Sequence, residues 1–203
     1  MKKMLFGAVA AMFVAGAAMA NDFTRTEAFV DVNIGKFSFG VEGRDGQGFS
    51  QLEFDYEVFN YAIGSNGDSA LDLGITYYDL GETVTLDATY EAVFSTGPNV
   101  DLYGSAEVNY IASSQVPAIE GDWFVTPELG IEVFASDVVS VFADVEYGFN
   151  VTNSARDEGG NVEFGVNWVV ADNITVTPSM LYYYDRQFTT DRTEARVGLT
   201  LEF

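Results

Sequence analysis

The amino-acid sequence predicts an all-β protein, a closed antiparallel up-and-down β-barrel of ten strands. Three observations carry this expectation. Apolar and polar residues alternate with period two through most of the chain, turn-forming residues interrupt the alternation at short intervals, and no segment of the expected mature chain has helical periodicity.

The first residues stand apart from that pattern. Lys2 and Lys3 precede an uncharged run from Met4 to Ala17, followed by Ala18-Met19-Ala20. A transmembrane helix is the competing reading, but the run is short for a span of roughly 20 apolar residues and ends in a small-x-small cleavage pattern. Residues 1–20 are therefore expected to be a cleaved secretory signal peptide, and residues 21–203 a single barrel domain.

The strands follow in order. Ala28, Val30, Val32 and Ile34 set one apolar phase and Phe37, Phe39 and Val41 the opposite one, so the phase slips at Gly35-Lys36. A β-bulge at Gly35 within one long strand accounts for the slip, because one extra residue turns every later side chain to the other face. A tight hairpin at Gly35-Lys36 is the rival. Leu52, Phe54, Tyr56 and Val58 then alternate with Glu53, Asp55 and Glu57; Leu71, Leu73, Ile75 and Tyr77 with Asp72, Gly74 and Thr76. Val84, Leu86, Ala88, Tyr90, Ala92 and Phe94 oppose Asp87 and Glu91, and Val100, Leu102, Ala106, Val108 and Tyr110 oppose Asp101 and Glu107. Trp123, Val125, Leu129, Ile131 and Val133 are set against Glu128, Gly130 and Glu132, and Val139, Val141, Ala143, Val145, Tyr147 and Phe149 against Asp144 and Glu146. Val162, Phe164, Val166, Trp168 and Val170 alternate with Glu163 and Gly165, Ile174, Val176, Met180, Tyr182 and Tyr184 with polar partners, and Ala195, Val197, Leu199, Leu201 and Phe203 with Glu194, Arg196, Gly198 and Glu202.

Turn chemistry joins these segments at Ser65-Asn66-Gly67-Asp68, Thr96-Gly97-Pro98-Asn99, Ser136-Asp137 and Ala171-Asp172-Asn173. Longer links, at 43–48, 79–82, 113–122, 152–160 and 186–192, take turns with the short ones. Ten strands would return both termini to one end; eight is the alternative count if the first hairpin does not span.

A soluble β-sandwich alternates in the same way, with its apolar face turned inward. Two features favour the inverted arrangement, a transmembrane barrel. The last strand ends on an aromatic residue, with Val197, Leu199, Leu201 and Phe203 in one phase. Tyr77, Tyr110, Trp123, Tyr147 and Tyr182-Tyr183-Tyr184 fall near one set of strand ends, and Phe59, Tyr61, Phe94, Phe134, Trp168 and Phe203 near the other, as membrane barrels place rings at their two interfaces. On these residues the chain resembles the small outer-membrane β-barrel proteins of Gram-negative bacteria, porin-like and OmpA-like. The resemblance implies export to the cell outer membrane, contact with outer-membrane lipid, and recognition of Val197, Leu199, Leu201 and Phe203 by the barrel-assembly machinery. Neither a plug before the first strand nor a peptidoglycan-binding domain after Phe203 is expected from the length of this sequence.

Composition restricts the chemistry. Apolar residues at 48% and aromatics at 15% are too many for a disordered acidic chain. A formal net charge of −22 argues against a nucleic-acid partner, which needs a basic footprint. With no cysteine there is no disulfide framework, and with no histidine the usual general base near neutral pH is missing, so no enzyme, cofactor or metal site is expected. Glu53, Asp55, Glu57, Asp72, Asp87, Glu91, Asp101, Glu107, Glu128, Glu132, Asp144, Glu146 and Glu163 all take the polar phase, and on the later strands only Arg196 opposes them. Such a wall belongs in a hydrated or cation-loaded interior, since dry burial of unpaired carboxylates is costly. Gly74, Gly130, Gly165 and Gly198 each lie two residues after an inward charge and are expected to relieve crowding. The loop Arg156-Asp157-Glu158-Gly159-Gly160 matches no calcium loop and reads as solvated. The functional expectation is a narrow, porin-like, cation-preferring channel for ions or small solutes; the alternative is a non-conducting structural or adhesive barrel that presents its loops.

Overall fold

The computed structural model describes residues 25–44, 48–63, 66–79, 82–115, 119–153, 159–185 and 189–203. The expected signal peptide, its cleavage point, and Arg156, Asp157 and Glu158 lie outside the described residues.

Eleven strands follow one another: β1 (Arg25–Ile34), β2 (Phe37–Arg44), β3 (Gly48–Ala62), β4 (Gly67–Tyr78), β5 (Thr83–Gly97), β6 (Val100–Ser113), β7 (Trp123–Ser136), β8 (Val139–Asn150), β9 (Gly159–Ala171), β10 (Ile174–Tyr184) and β11 (Thr190–Glu202). Sequence neighbours pair antiparallel, and β1 closes the barrel by pairing with β11 in parallel, Arg25 opposite Glu194 through Asn33 opposite Glu202. The short alternating segments thus find two partners each, and no described strand is left with an open edge.

The expected ten strands, and the alternative eight, are corrected to eleven, and the purely antiparallel closure to one with a single parallel pair. The cause is Gly35. It takes φ 59°, which opens a two-residue turn rather than a bulge, and β1 and β2 separate as a hairpin. A two-residue turn sets the residues on either side of it opposite each other, so Ile34 pairs with Phe37, Val32 with Phe39 and Val30 with Val41, all on one face. The phase slip in the sequence is the parity that this turn requires. An odd strand count also separates the ends of the barrel. Arg25 begins at the rim that carries the longer links, whereas Phe203 lies at the rim of tight turns. There the Phe203 N–H donates to the Asn33 carbonyl (2.8 Å), and the Phe203 carbonyl accepts from Gly35 N–H (3.3 Å), so the first hairpin clasps the last residue.

The apolar phase points outward. Phe54, Leu73, Leu86, Leu102, Ile131, Val141 and Phe164 are all exposed, and Leu129 reaches 68%. On β11 the same phase is covered: Val197, Leu199 and Leu201 form a buried cluster with Val30, Val32, Ile174 and Val176 of the flanking strands. Aromatic rings gather at both rims. Tyr110 packs on Trp123 (4.8 Å between centroids) and Tyr147 on Phe149 (4.6 Å) at the longer links, while Phe59 meets Tyr61 (5.4 Å) near the turns.

The parallel seam can be tested directly, because the chain has no cysteine of its own. Ala28 and Val197 are in register across β1 and β11, at the roughly 4.8 Å spacing of paired strands and inside the reach of a disulfide. The double variant Ala28→Cys, Val197→Cys should cross-link on oxidation in the folded barrel, read as a reductant-sensitive mobility shift. A seam in any other register leaves both thiols free.

Candidate functional site: an acidic barrel interior

Because successive side chains on a strand point to opposite faces, the polar phase of every strand enters one shared interior. The structure distributes the sequence-predicted carboxylates over its whole height rather than gathering them at one point. Glu53, Asp55, Asp87 and Glu107, on β3, β5 and β6, interact electrostatically with one another and with Asp31 of β1. None of these five has an ion-pair partner among the described residues. Asp72 stands opposite Glu57, which pairs with Lys36 (3.5 Å) near the turn rim. Glu91 lies in register with Ser105, and Asp101 accepts from Ser95 Oγ (2.7 Å).

A second group occupies the far wall. Glu128 accepts from Ser105 Oγ (3.2 Å), Asp144 from the Tyr103 hydroxyl (3.1 Å), and Glu146 from Asn161. With Glu163 these carboxylates line a cavity of about 330 Å³ toward the longer links. Glu132 lies apart, bound by Ser140 and by Asn167 Nδ2 (2.9 Å), beside a second cavity of about 330 Å³ near the turns.

Positive charge is concentrated beside the β1–β11 seam. Arg196 Nε contacts Glu27 Oε2 (3.2 Å), Nη2 contacts Glu42 Oε2 (3.2 Å) and Nη1 contacts Glu163 Oε2 (3.6 Å). Arg44 pairs with Glu27 and with Glu42 (3.4 Å), and Arg192 with Glu194 (2.8 Å). Glu27 is only 3% exposed and Glu194 fully buried, and these guanidinium groups are their counter-charges. The expectation of Arg196 as the one opposing cation of the later strands is therefore corrected: Arg192 joins it on β11, and Arg44 reaches in from β2. Sequence reading assigned both to loops. For Arg44 a signal existed, since it continues the polar phase Ser38, Gly40, Glu42.

The inward glycines relieve crowding, and the space they leave is filled. A Cβ on Gly130 would collide with the Tyr103 ring, one on Gly165 with Phe142, one on Gly198 with Phe29, and one on Gly74 with the carboxylates of Asp55 and Asp87. Three aromatic rings thus lie inside the barrel across the backbone of a neighbouring strand, which the sequence reading did not foresee. Each stands in the polar phase directly opposite a glycine: Phe29 to Gly198, Tyr103 to Gly130, Phe142 to Gly165. That pairing was the legible signal. Tyr183, expected in the outer aromatic belt, instead lines the upper cavity beneath Arg192, whose guanidinium carbon is 3.8 Å from the ring centroid.

The closed barrel has a known counterpart in its fold: it superposes on the NanC porin with a TM-score of 0.61, covering 86% of this chain and 91% of that one at 10% identity. The fold is porin-like. Comparisons with family models and with curated proteins give no match, so the likeness is one of architecture. Within a porin-like barrel the wall residues inherit no roles from sequence similarity, and their assignment rests on the geometry above.

The glycine–aromatic pairs predict a specific rescue. Gly130→Val should destabilise the barrel by about 1–3 kcal/mol, the usual cost of overpacking, because the Tyr103 ring has to leave its place. The double variant with Tyr103→Ala should recover most of that loss in urea unfolding of the purified barrel. An unchanged deficit in the double variant would place the clash elsewhere.

Proposed function

We propose that this porin-like barrel spans the outer membrane and passes cations or small cationic solutes. The carrying observation is the inversion of polarity: exposed apolar side chains cover the outside, while the inside is lined by carboxylates, of which Glu53, Asp55, Asp87 and Glu107 form no ion pair among the described residues. Soluble monomers rarely expose contiguous apolar patches beyond a few hundred Å², and this exterior is apolar on most strands. Lipid is its natural solvent, and a closed barrel is one of two backbone arrangements that hydrocarbon tolerates. The interior has the opposite need. Carboxylates crowded around Glu53, Asp55, Asp87 and Glu107 call for water and mobile cations, and a carboxylate-lined path attracts cations and repels anions.

Localisation and biogenesis belong to the same reading. The amino-terminal signal exports the chain, and the barrel-assembly machinery reads the last strand through Val197, Leu199, Leu201 and Phe203. The exposed ring of Phe203, at 67%, is available to such a receptor.

A second reading, a non-conducting scaffold that presents loops, is favoured by one observation. Side chains cross the interior, from Tyr103 to Asp144 over two strands and from Arg196 to Glu163 and Glu42. Planar-bilayer recordings separate the two. The channel reading expects current with a reversal potential favouring cations in a salt gradient, and a weaker preference when Glu128, Glu132, Asp144 and Glu146 are neutralised together. Silence from the purified, heat-modifiable barrel selects the scaffold.

Assembly gives an independent check. Phe203→Asp should reduce the heat-modifiable fraction recovered with outer membranes far more than Glu120→Gln in the β6–β7 link. Recovery of the wild type in soluble periplasm would contradict the membrane reading altogether.

A further inference from the structure

Two interior cavities meet at one place. The upper one, about 330 Å³, is lined by Glu27, Glu128, Asp144, Glu146 and Glu163 among others, and a lower one of about 240 Å³ by Phe29, Asp31, Gly40 and Glu53. Their linings have three side chains in common: Arg196, Glu42 and Gln51. Arg196 and Glu42 are joined at 3.2 Å, while Gln51 Nε2 donates to Glu53 Oε2 (3.4 Å), just below.

The guanidinium is held in this position from several sides. Its three nitrogens reach Glu27 on β1, Glu42 on β2 and Glu163 on β9, so one side chain rooted on β11 forms a chord across the five-strand arc β2-β1-β11-β10-β9. Its carbon sits 4.9 Å from the centroid of Phe29, within cation–π range. Phe29 in turn lies across Gly198, where any Cβ would displace it. Planar and fork-shaped, arginine can engage separate carboxylates with separate nitrogens, which a lysine ammonium does far less rigidly.

We infer that Arg196, clamped by Glu42, Glu27 and Glu163, is the partition that limits cation passage between the upper and lower cavities, with Gln51 completing it. The inference rests on the channel reading and names the residue that sets its rate and selectivity. The partition obstructs in two ways. It fills the space where the cavities meet, and it adds a fixed positive charge, beside that of Arg44, to a path lined by more carboxylates than cations.

The two contributions separate in single-channel recordings. Arg196→Gln should raise cation conductance several-fold and move the reversal potential further toward the cation limit, because obstruction and charge are lost together. Gln51→Ala, which touches none of the ion pairs, should raise conductance with the reversal potential unchanged. Should Arg196→Gln fail to give a heat-modifiable barrel, Gln51→Ala carries the test alone. A silent wild type with a conducting variant makes the partition a complete block and overturns the channel reading of the wild type, which is then the scaffold. A conducting wild type whose assembled variants have the same conductance overturns it and leaves the channel reading intact. Silence from the wild type and every assembled variant overturns both.

Discussion

Closing eleven strands into one barrel gives every polar side chain of the wall the same narrow interior, and the rest of the structure answers to that crowding. On a flat sheet, carboxylates such as Asp55 and Asp87 would face open water. Here they converge over Gly74, the one residue that leaves both of them room. Unit charges a few ångströms apart repel by several kcal/mol at the effective dielectric of a protein interior. The wall meets this in two ways. From β2 and β11 it supplies arginines, which compensate Glu27, Glu42, Glu163 and Glu194 on β1, β2, β9 and β11. On β3 to β8 it supplies hydroxyl donors such as Ser105, Tyr103 and Ser140 but no described cation, which leaves negative charge for solvent ions to balance.

The charge-compensated sector coincides with the closure of the barrel. Strand β11 carries Arg196 and Arg192 inward and the buried Val197, Leu199 and Leu201 on its other face, and it ends in Phe203, whose backbone is clasped by Asn33 and Gly35. The last strand of the barrel therefore carries both the apolar cluster beside the seam and arginines that pair with its carboxylates. Removing Arg196 would leave Glu27 buried beside fewer counter-charges, and breaking a buried pair from one side is strongly destabilising. Closure and interior electrostatics are in this sense one event.

Much of this was legible in the sequence, and the reasons are local. Exposed Leu73, Leu129, Val141 and Phe164 are where period-two alternation put them, because strand geometry leaves no other choice. Ambiguity entered at Gly35, where a bulge and a two-residue turn produce the same parity change; only the backbone conformation and the pairing of Ile34 with Phe37 distinguish them. That one residue decided the strand count and the rim at which Arg25 begins. Interior contacts were less accessible. Phe29, Tyr103 and Phe142 look like ordinary strand aromatics until register sets each against a glycine of the paired strand. Arg196 was visible as a cation, but its three partners lie on other strands, and two of them, Glu27 and Glu42, are brought to it by the parallel closure.

The central claim is that the wall is turned inside out, with lipid on the apolar face and water on the carboxylate face. The most direct measurement places single spin labels along β7 in the membrane-reconstituted barrel and compares collisions with oxygen, which partitions into lipid, and with a water-soluble nickel chelate. Labels at Leu129, Ile131 and Val133 should favour oxygen, and labels at Glu128 and Glu132 the nickel chelate, in strict alternation along the strand. Nickel access at both sets of positions, or oxygen preference at the carboxylate positions, would contradict the account.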